Sequence, residues 1–278
     1  MSHTEPTGVV SREYILGTDE SEFARLGLQH CLWSEQAFSI WERAGFGPGS
    51  VVLDAGCGPG FATLDLAALT GPSGRVIAVD ESARFVDRLK ARQLARGLMN
   101  IEAIVADVQR LELDEGSVDF AYARWVLCFL KDPEAAVAGV ARALRTGGVF
   151  AVQDYFNYRA ITLAPRSEAF DRVVRATEQS WRESGGDPDV AGRLPAMMAR
   201  HGLKVREVRP ILRVARPGSL LWQWPETFFR TYMARLVERN FLSPDDVRSF
   251  QTDLEARSKD PAGFFQTPPV FDLIAVKE

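Results

Sequence analysis

The chain has 278 residues, of which 46% are hydrophobic and 25% charged, with a formal net charge of −4. That length and balance describe a globular protein with a full core, and the acidic charge argues against a broad nucleic-acid-binding surface. No run of about 18 apolar residues suggests a membrane span, and Met1–Ser11 lacks the apolar core of a signal peptide. The three cysteines, Cys31, Cys57 and Cys128, show neither metal-ligand spacing nor a disulfide pattern, so reduced, buried thiols, a cytoplasmic location and no bound metal are expected.

Residues 18–45 read as one or two amphipathic helices, with Phe23, Leu26, Leu28, Leu32 and Trp33 as their apolar set. From residue 50 to about 155, short apolar runs alternate with helical patterns. Strands are predicted at Val51–Leu53, Arg75–Val79, Ile101–Val105, Val118–Tyr122 and Gly148–Val152, each apolar enough to be buried on both faces. Helices are predicted at Phe61–Leu69, at Ala83–Arg96 behind Ser82, and from Asp132-Pro133-Glu134 to a stop at Gly147-Gly148. Farther on, helices are expected over 167–182, from Leu194 to Gly202, near 219–240 and at 244–257. Strands are expected at about 204–213 and at Val270–Val276. The alternation implies an α/β fold, a doubly wound, mostly parallel seven-stranded sheet with its last strand antiparallel. Residues 1–45 read as a helical cap segment and 46–278 as the main domain. Insertions at about 157–190 and 217–262 form a lid over the carboxyl ends of the strands, where ligands bind in such folds.

The first strand runs into Asp54-Ala55-Gly56-Cys57-Gly58-Pro59-Gly60. Glycine at every second position permits positive φ and close approach of a ligand to the backbone. A dinucleotide fingerprint would need its third glycine at position 61, which is Phe61, so the turn suits a nucleoside without phosphates better than a pyrophosphate. Asp80 ends the second strand and Asp107 the third, while Arg124 and Trp125 follow the fourth. A carboxylate at the second strand end can hold both ribose hydroxyls, and one at the third can accept from an adenine amino group.

Leu53–Gly60, Val79–Asp80 and Ala106–Asp107, in this order and spacing, resemble the motifs of class I S-adenosylmethionine-dependent methyltransferases. Arg124…Leu127…Leu130-Lys131-Asp132-Pro133 and Leu144-Arg145-Thr146-Gly147-Gly148 resemble later blocks of the subgroup that includes ubiquinone/menaquinone-biosynthesis and other small-molecule methyltransferases. The resemblance covers about 50–155 and extends to Tyr14…Leu16-Gly17…Arg25-Leu26…Gln29. It implies S-adenosyl-L-methionine as cofactor, with Asp54 ordering the turn and the Gly56 and Gly58 backbone against the methionine part. Asp80 would then take the ribose hydroxyls and Asp107 the adenine amine, with Ala106 and Val108 beside the ring. Arg124 would face either the methionine carboxylate or the substrate.

Methyl transfer from a sulfonium requires alignment and a dry pocket, and a general base only for a high-pKa acceptor. Candidate bases are Tyr155 and His30, with Asp154, Tyr158 and His201 behind them, and no residue is singled out as catalytic. Cys57 reads as a small packing residue, and His201 as a capping or surface residue. The absence of an Asn/Asp-Pro-Pro-Tyr motif after the fourth strand disfavours methylation of DNA bases or protein glutamine. Phe170, Trp181, Trp222, Trp224, Phe228, Phe229, Tyr232 and Phe241 could line a pocket for an apolar or aromatic small molecule, or could form a homodimer face. The competing readings are another adenosyl-cofactor transferase, a nicotinamide oxidoreductase, and a cofactor-binding protein without catalysis.

Overall fold

The computed structural model describes residues 16–278; Tyr14 and the polar Met1–Ser11 segment lie outside the described residues. Ten strands are described: β1 (Val51–Ala55), β2 (Arg75–Asp80), β3 (Ile101–Val105), β4 (Val118–Arg124), β5 (Leu144–Tyr155), β6 (Thr162–Ala164), β7 (Leu203–Ile211), β8 (Val214–Ala215), β9 (Phe264–Gln266) and β10 (Val270–Lys277). Seven form one sheet in the order β3-β2-β1-β4-β5-β10-β7. Within it β1 to β5 pair in parallel, whereas β10 runs antiparallel to both β5 and β7. The doubly wound sheet with an antiparallel final strand is therefore present.

Among the described residues the α-helices are α1 (Glu20–Ala44), α2 (Phe61–Thr70), α3 (Ala83–Ala95), α4 (Pro133–Ala143), α5 (Glu168–Glu183), α6 (Leu194–Arg200), α7 (Gln223–Glu238) and α8 (Pro244–Ser258). Alternating residues of the central strands enter two different cores. Val52, Val76 and Ala78 pack with Ile40 and Trp41 of α1 and Leu64 of α2. Leu53, Ala55, Ile77 and Val79 pack on the opposite face with Val137 and Val140 of α4. A period of two with both faces apolar is what a buried parallel sheet demands.

Of the one or two helices expected over 18–45, residues 20–44 form a single one, started by Asp19, whose carboxylate accepts from the Ser21 and Glu22 amides, and stopped by Gly45 at φ 87°. Two details differ from the sequence reading. Gly147-Gly148 does not end α4, which stops at Ala143 with Leu144 already extended. A Cβ on Gly148 would lie 2.8 Å from the Arg145 carbonyl oxygen and 3.0 Å from that of Asp119, so this glycine is required by close backbone packing beside β4. Finally, β6, β9 and β8 build a separate antiparallel three-stranded sheet that tethers the inserted helices. Residues 214–215 and 264–266 lie outside the expected insertions at 157–190 and 217–262.

The inserted helices have a core of their own. Phe170 of α5 meets Phe229 of α7 at 5.5 Å, Phe250 of α8 at 5.8 Å and Phe265 of β9 at 6.0 Å between ring centroids. Of the eight aromatics considered for a homodimer face, six are buried and Phe228 and Phe241 are half-buried, so none offers an exposed ring. Among the described residues, no helix is long and apolar enough to cross a membrane.

A polar network fastens α1 to the sheet. The Tyr122 hydroxyl donates to Gln153 Oε1 at 2.6 Å, and Gln153 Nε2 donates to Asp272 Oδ1 at 2.8 Å. Arg43 of α1 then bonds Asp272 Oδ2 through Nη2, and Glu207 through Nε at 2.9 Å. Burial pushes the Asp272 carboxyl up, while Gln153 and Arg43 pull it back. Arg43→Met would leave that carboxylate with only Gln153 and is expected to lower unfolding free energy by about 2–4 kcal/mol in urea titrations at neutral pH. A loss below ~0.5 kcal/mol would show that the network does not anchor the helix.

Candidate active site

The turn after β1 is folded around the end of β2. Gly56, Gly58 and Gly60 have φ of 75°, 53° and 80°. The amides of Gly56 and Cys57 both donate to the Val79 carbonyl, at 2.8 and 2.9 Å. The Gly58 amide donates to Asp80 Oδ2 at 2.8 Å, and the Ser82 amide to Asp80 Oδ1 at 2.9 Å. Each Asp80 oxygen therefore accepts one backbone N–H and retains acceptor capacity for a ligand. Burial pushes the Asp80 carboxyl upward, and the two amide bonds oppose it.

Asp54 sits beneath the turn, where its Oδ2 accepts from the Thr63 hydroxyl at 2.6 Å. Burial is the main reason its pKa rises from 3.8 to about 6, against the Thr63 bond and the Arg124 charge. The folded protein thus holds this proton to higher pH than the unfolded chain does. Asp54's contribution to stability is full below its unfolded pKa of 3.8 and is lost as pH rises through about 6. Thr63→Val removes a hydrogen bond to the charged form. We expect it to cost about 1.5–3 kcal/mol at pH 8 and clearly less at pH 5, read from denaturant titrations at both pH values. An equal cost at both would contradict the assignment of the raised proton affinity to Asp54.

Asp107 begins a short 3₁₀ turn and accepts from the Gln109 backbone amide at 2.9 Å and its side-chain amide at 3.0 Å. Asp54, Gly56, Gly58, Asp80, Asp107, Val108 and Arg124 all line one cleft at the carboxyl ends of the strands. Ala106 does not line it; its side chain packs against the core.

Arg124 links three elements. Its Nη2 lies 2.9 Å from His30 Nδ1, and His30 Nε2 lies 2.8 Å from Asp65 Oδ2 of α2. Because arginine only donates, Nδ1 must accept and Nε2–H donates to Asp65, which fixes the tautomer. Both ring nitrogens of His30 are thereby engaged, so in this arrangement His30 positions Arg124 and has no free lone pair to act as a base. The other guanidinium nitrogen, Nη1, is buried without a partner among the described residues.

Phe61 occupies the position where a dinucleotide fingerprint would have glycine. Its ring lies under Arg92 at 4.0 Å and beside the Phe23 and His30 rings at 5.3 and 5.9 Å. The cap helix is therefore docked on the residue that follows the glycine turn.

The cleft is closed on its other side by α1, α5, α7 and the turn after β4. Arg25 and Gln29 of α1, Phe129, Tyr155, Trp181 of α5 and Phe228 of α7 form that wall. Tyr155 meets Trp125 at 6.1 Å and Trp181 at 6.0 Å, and Trp181 meets Phe129 at 5.0 Å and Phe228 at 6.1 Å. Trp125 holds φ 53°, a left-handed conformation costly for a bulky residue, and thereby turns its ring into this wall.

The remaining base candidates are placed differently. Burial pushes the Tyr155 hydroxyl well up, which opposes its ionisation to a phenolate base. Tyr158 lines an apolar recess adjoining the cleft and is pushed up for the same reason. Asp154 is fully buried away from the cleft, accepting from the Cys128 and Tyr155 amides at 3.2 and 2.9 Å. His201 lies 3.3 Å from Glu134, outside the cleft. Cys57 is buried with its thiol pushed well up, as fits a packing residue, and Cys128 is buried too, whereas Cys31 of α1 is exposed, contrary to expectation. Phe129 was not anticipated, while Arg25 and Gln29 entered only as part of a resemblance. The available signal was polar spacing: Glu22, Arg25 and Gln29 recur at three- and four-residue intervals along an amphipathic helix, among Leu26 and Trp33.

Residues 53–152 match the family described as a methyltransferase domain. The chain is 26% identical over 239 residues to the trans-aconitate 2-methyltransferase of Azoarcus sp. (strain BH72), covering 82% of this chain and 87% of that protein. It is 32% identical over 120 residues to the demethylmenaquinone methyltransferase of Lactococcus lactis subsp. lactis, covering 43% of this chain and 46% of that protein. The chain thus spans less than half the length of that second relative. In fold it is similar to geranyl diphosphate C-methyltransferase from Streptomyces coelicolor A3(2), with a TM-score of 0.57, 17% identity, and coverage of 90% of this chain and 77% of that one.

Proposed function

We propose, from the match of residues 53–152 to a methyltransferase domain, that the whole chain is a class I, S-adenosylmethionine-dependent methyltransferase acting on a small molecule. When bound, the cofactor supplies a methyl group already activated on a sulfonium, so the protein's tasks are to bind, align and exclude water. Residues in the cleft suit such a group. Gly58 has open space where a Cβ would stand, Asp80 retains acceptor capacity on both oxygens, and Arg124 Nη1 is a buried donor lacking a partner. In this reading Asp80 holds the ribose hydroxyls, Asp107 the adenine amine beside Val108, and Arg124 Nη1 the methionine carboxylate. Asp54 and the Gly56 and Gly58 backbone shape the seat, and Ala106 supports it from the core side. His30 acts through Arg124 as a positioning residue.

The acceptor we propose is a small apolar or aromatic molecule, neither nucleic acid nor membrane lipid, handled in the cytoplasm. Residues 46–278 would be the catalytic domain and α1 its cap, with α5, α7 and α8 as the lid. The single observation that carries this reading is the convergence of three strand-end carboxylates and an unpartnered guanidinium nitrogen on one cleft walled by aromatic rings. Calorimetric titration with S-adenosylhomocysteine and with NAD tests it. Saturable binding of the first and none of the second is expected, and the reverse would return the chain to nicotinamide chemistry. Tight cofactor binding with no methyl transfer to any of a broad acceptor set would favour a non-catalytic binder.

A further inference from the structure

The acceptor side of the cleft is asymmetric in its hydrogen-bonding chemistry. Gln29 Oε1 accepts from Arg25 Nη1 at 3.0 Å and from Trp224 Nε1 at 2.8 Å. Both partners can only donate, so the amide cannot be flipped, and its NH₂ is left at the wall without a protein partner among the described residues. Both oxygens of Glu22 are taken by Arg25, at 2.6 and 2.7 Å. The Trp125 indole N–H is buried without a partner among the described residues. Tyr155 borders the cleft with a hydroxyl that burial keeps protonated. Every carboxylate that lines the cleft, Asp54, Asp80, Glu81 and Asp107, comes from the carboxyl ends of β1, β2 and β3, on the side assigned to the cofactor. The lid side offers donors and rings, and its one imidazole, His30, has both nitrogens engaged.

We infer that the acceptor is an oxygen acid on an aromatic frame, an acidic phenol or enol, that enters already deprotonated, its anion bound by the Gln29 amide and its neighbouring donors. This rests on the reading of the cleft as a methyl-transfer site. Hydrogen bonds to the charged form favour that form, and charge-assisted bonds are the stronger ones. A lone pair on the acceptor oxygen forms the new O–C bond while the C–S pair returns to sulfur. The positive and negative charges cancel, and no proton has to be removed by the protein. An unactivated alcohol would need a base that the lid side does not supply. An ammonium would find no carboxylate among the cleft residues of the lid side to accept from it.

The probe is 4-nitrophenol, whose phenolate is read by its visible absorbance, added to the full-length protein saturated with S-adenosylhomocysteine. The bound probe is expected to show an apparent pKa lowered by about one unit, a tenfold preference for phenolate over phenol. 4-Nitrobenzyl alcohol and 4-nitroaniline should bind about tenfold or more weakly than 4-nitrophenol at pH 8. Gln29→Glu keeps the bonds from Arg25 and Trp224 but replaces the NH₂ with an acceptor oxygen. It should abolish the downward shift while leaving affinity for S-adenosylhomocysteine within about twofold. An unshifted or raised probe pKa in the unsubstituted protein, equal binding of the alcohol or aniline, or no phenolate binding beside tight S-adenosylhomocysteine binding would each overturn the inference. Failure of S-adenosylhomocysteine itself to bind would instead overturn the cofactor reading, which the first titration measures separately.

Discussion

Asp80→Ala is expected to weaken S-adenosylhomocysteine binding by about 1.5–3 kcal/mol, roughly ten- to a hundredfold in Kd. The size follows from what the carboxylate does twice. It accepts the Gly58 and Ser82 amides at 2.8 and 2.9 Å, which fixes the turn, and it offers its remaining acceptor positions to the ribose. Charged hydrogen bonds in a buried setting stand at the upper end of hydrogen-bond energies. Isothermal titration of purified protein checks this, with circular dichroism confirming that the fold survives. Affinity unchanged within twofold would refute the ribose assignment.

Gly58→Ala should separate folding from binding. A Cβ at Gly58 meets nothing within 4 Å, so the fold pays only the left-handed conformation at φ 53°, roughly 1–2 kcal/mol. Gly58 lines the cleft, so in the proposed pose cofactor affinity should fall by about thirtyfold or more, because the ligand needs close approach to the backbone there. Gly56 is the contrasting position. Its Cβ would lie 2.4 Å from Val126 Cγ2 and 2.6 Å from Cγ1 at φ 75°, so Gly56→Ala should damage stability itself, by about 2–4 kcal/mol. Thermal unfolding and titration of both variants distinguish the two effects. Equal stability loss at the two glycines would contradict this division.

The strand runs between 51 and 155 were legible because most of their residues are apolar, continuously so in the central strands buried on both faces, although β3, at the sheet edge, leaves Glu102 and Val105 exposed; the first four end in or lead into a residue whose chemistry stands out: Asp54, Asp80, Asp107 and Arg124. Those four positions needed only chain order and spacing to be brought to one edge of the sheet. The small sheet of β6, β8 and β9 was not legible, since strands of two or three residues carry no periodicity and pair only because the lid folds them together. Gly147-Gly148 misled for a physical reason: glycine after a helical pattern also occurs where two backbones approach closely. The Arg124–His30–Asp65 chain was invisible because it joins residues 94 and 35 positions apart. Likewise, the aromatic residues at 170–241 signalled a wall or an interface, and only packing distinguished lid core from cleft.

Hydrogen–deuterium exchange with and without S-adenosylhomocysteine tests most directly whether three strand ends embrace one nucleoside. Simultaneous protection of segments 54–60, 80–82 and 106–109 at the same ligand concentration is the expected result. Protection confined to one of these segments, or to surfaces away from all of them, would contradict the account.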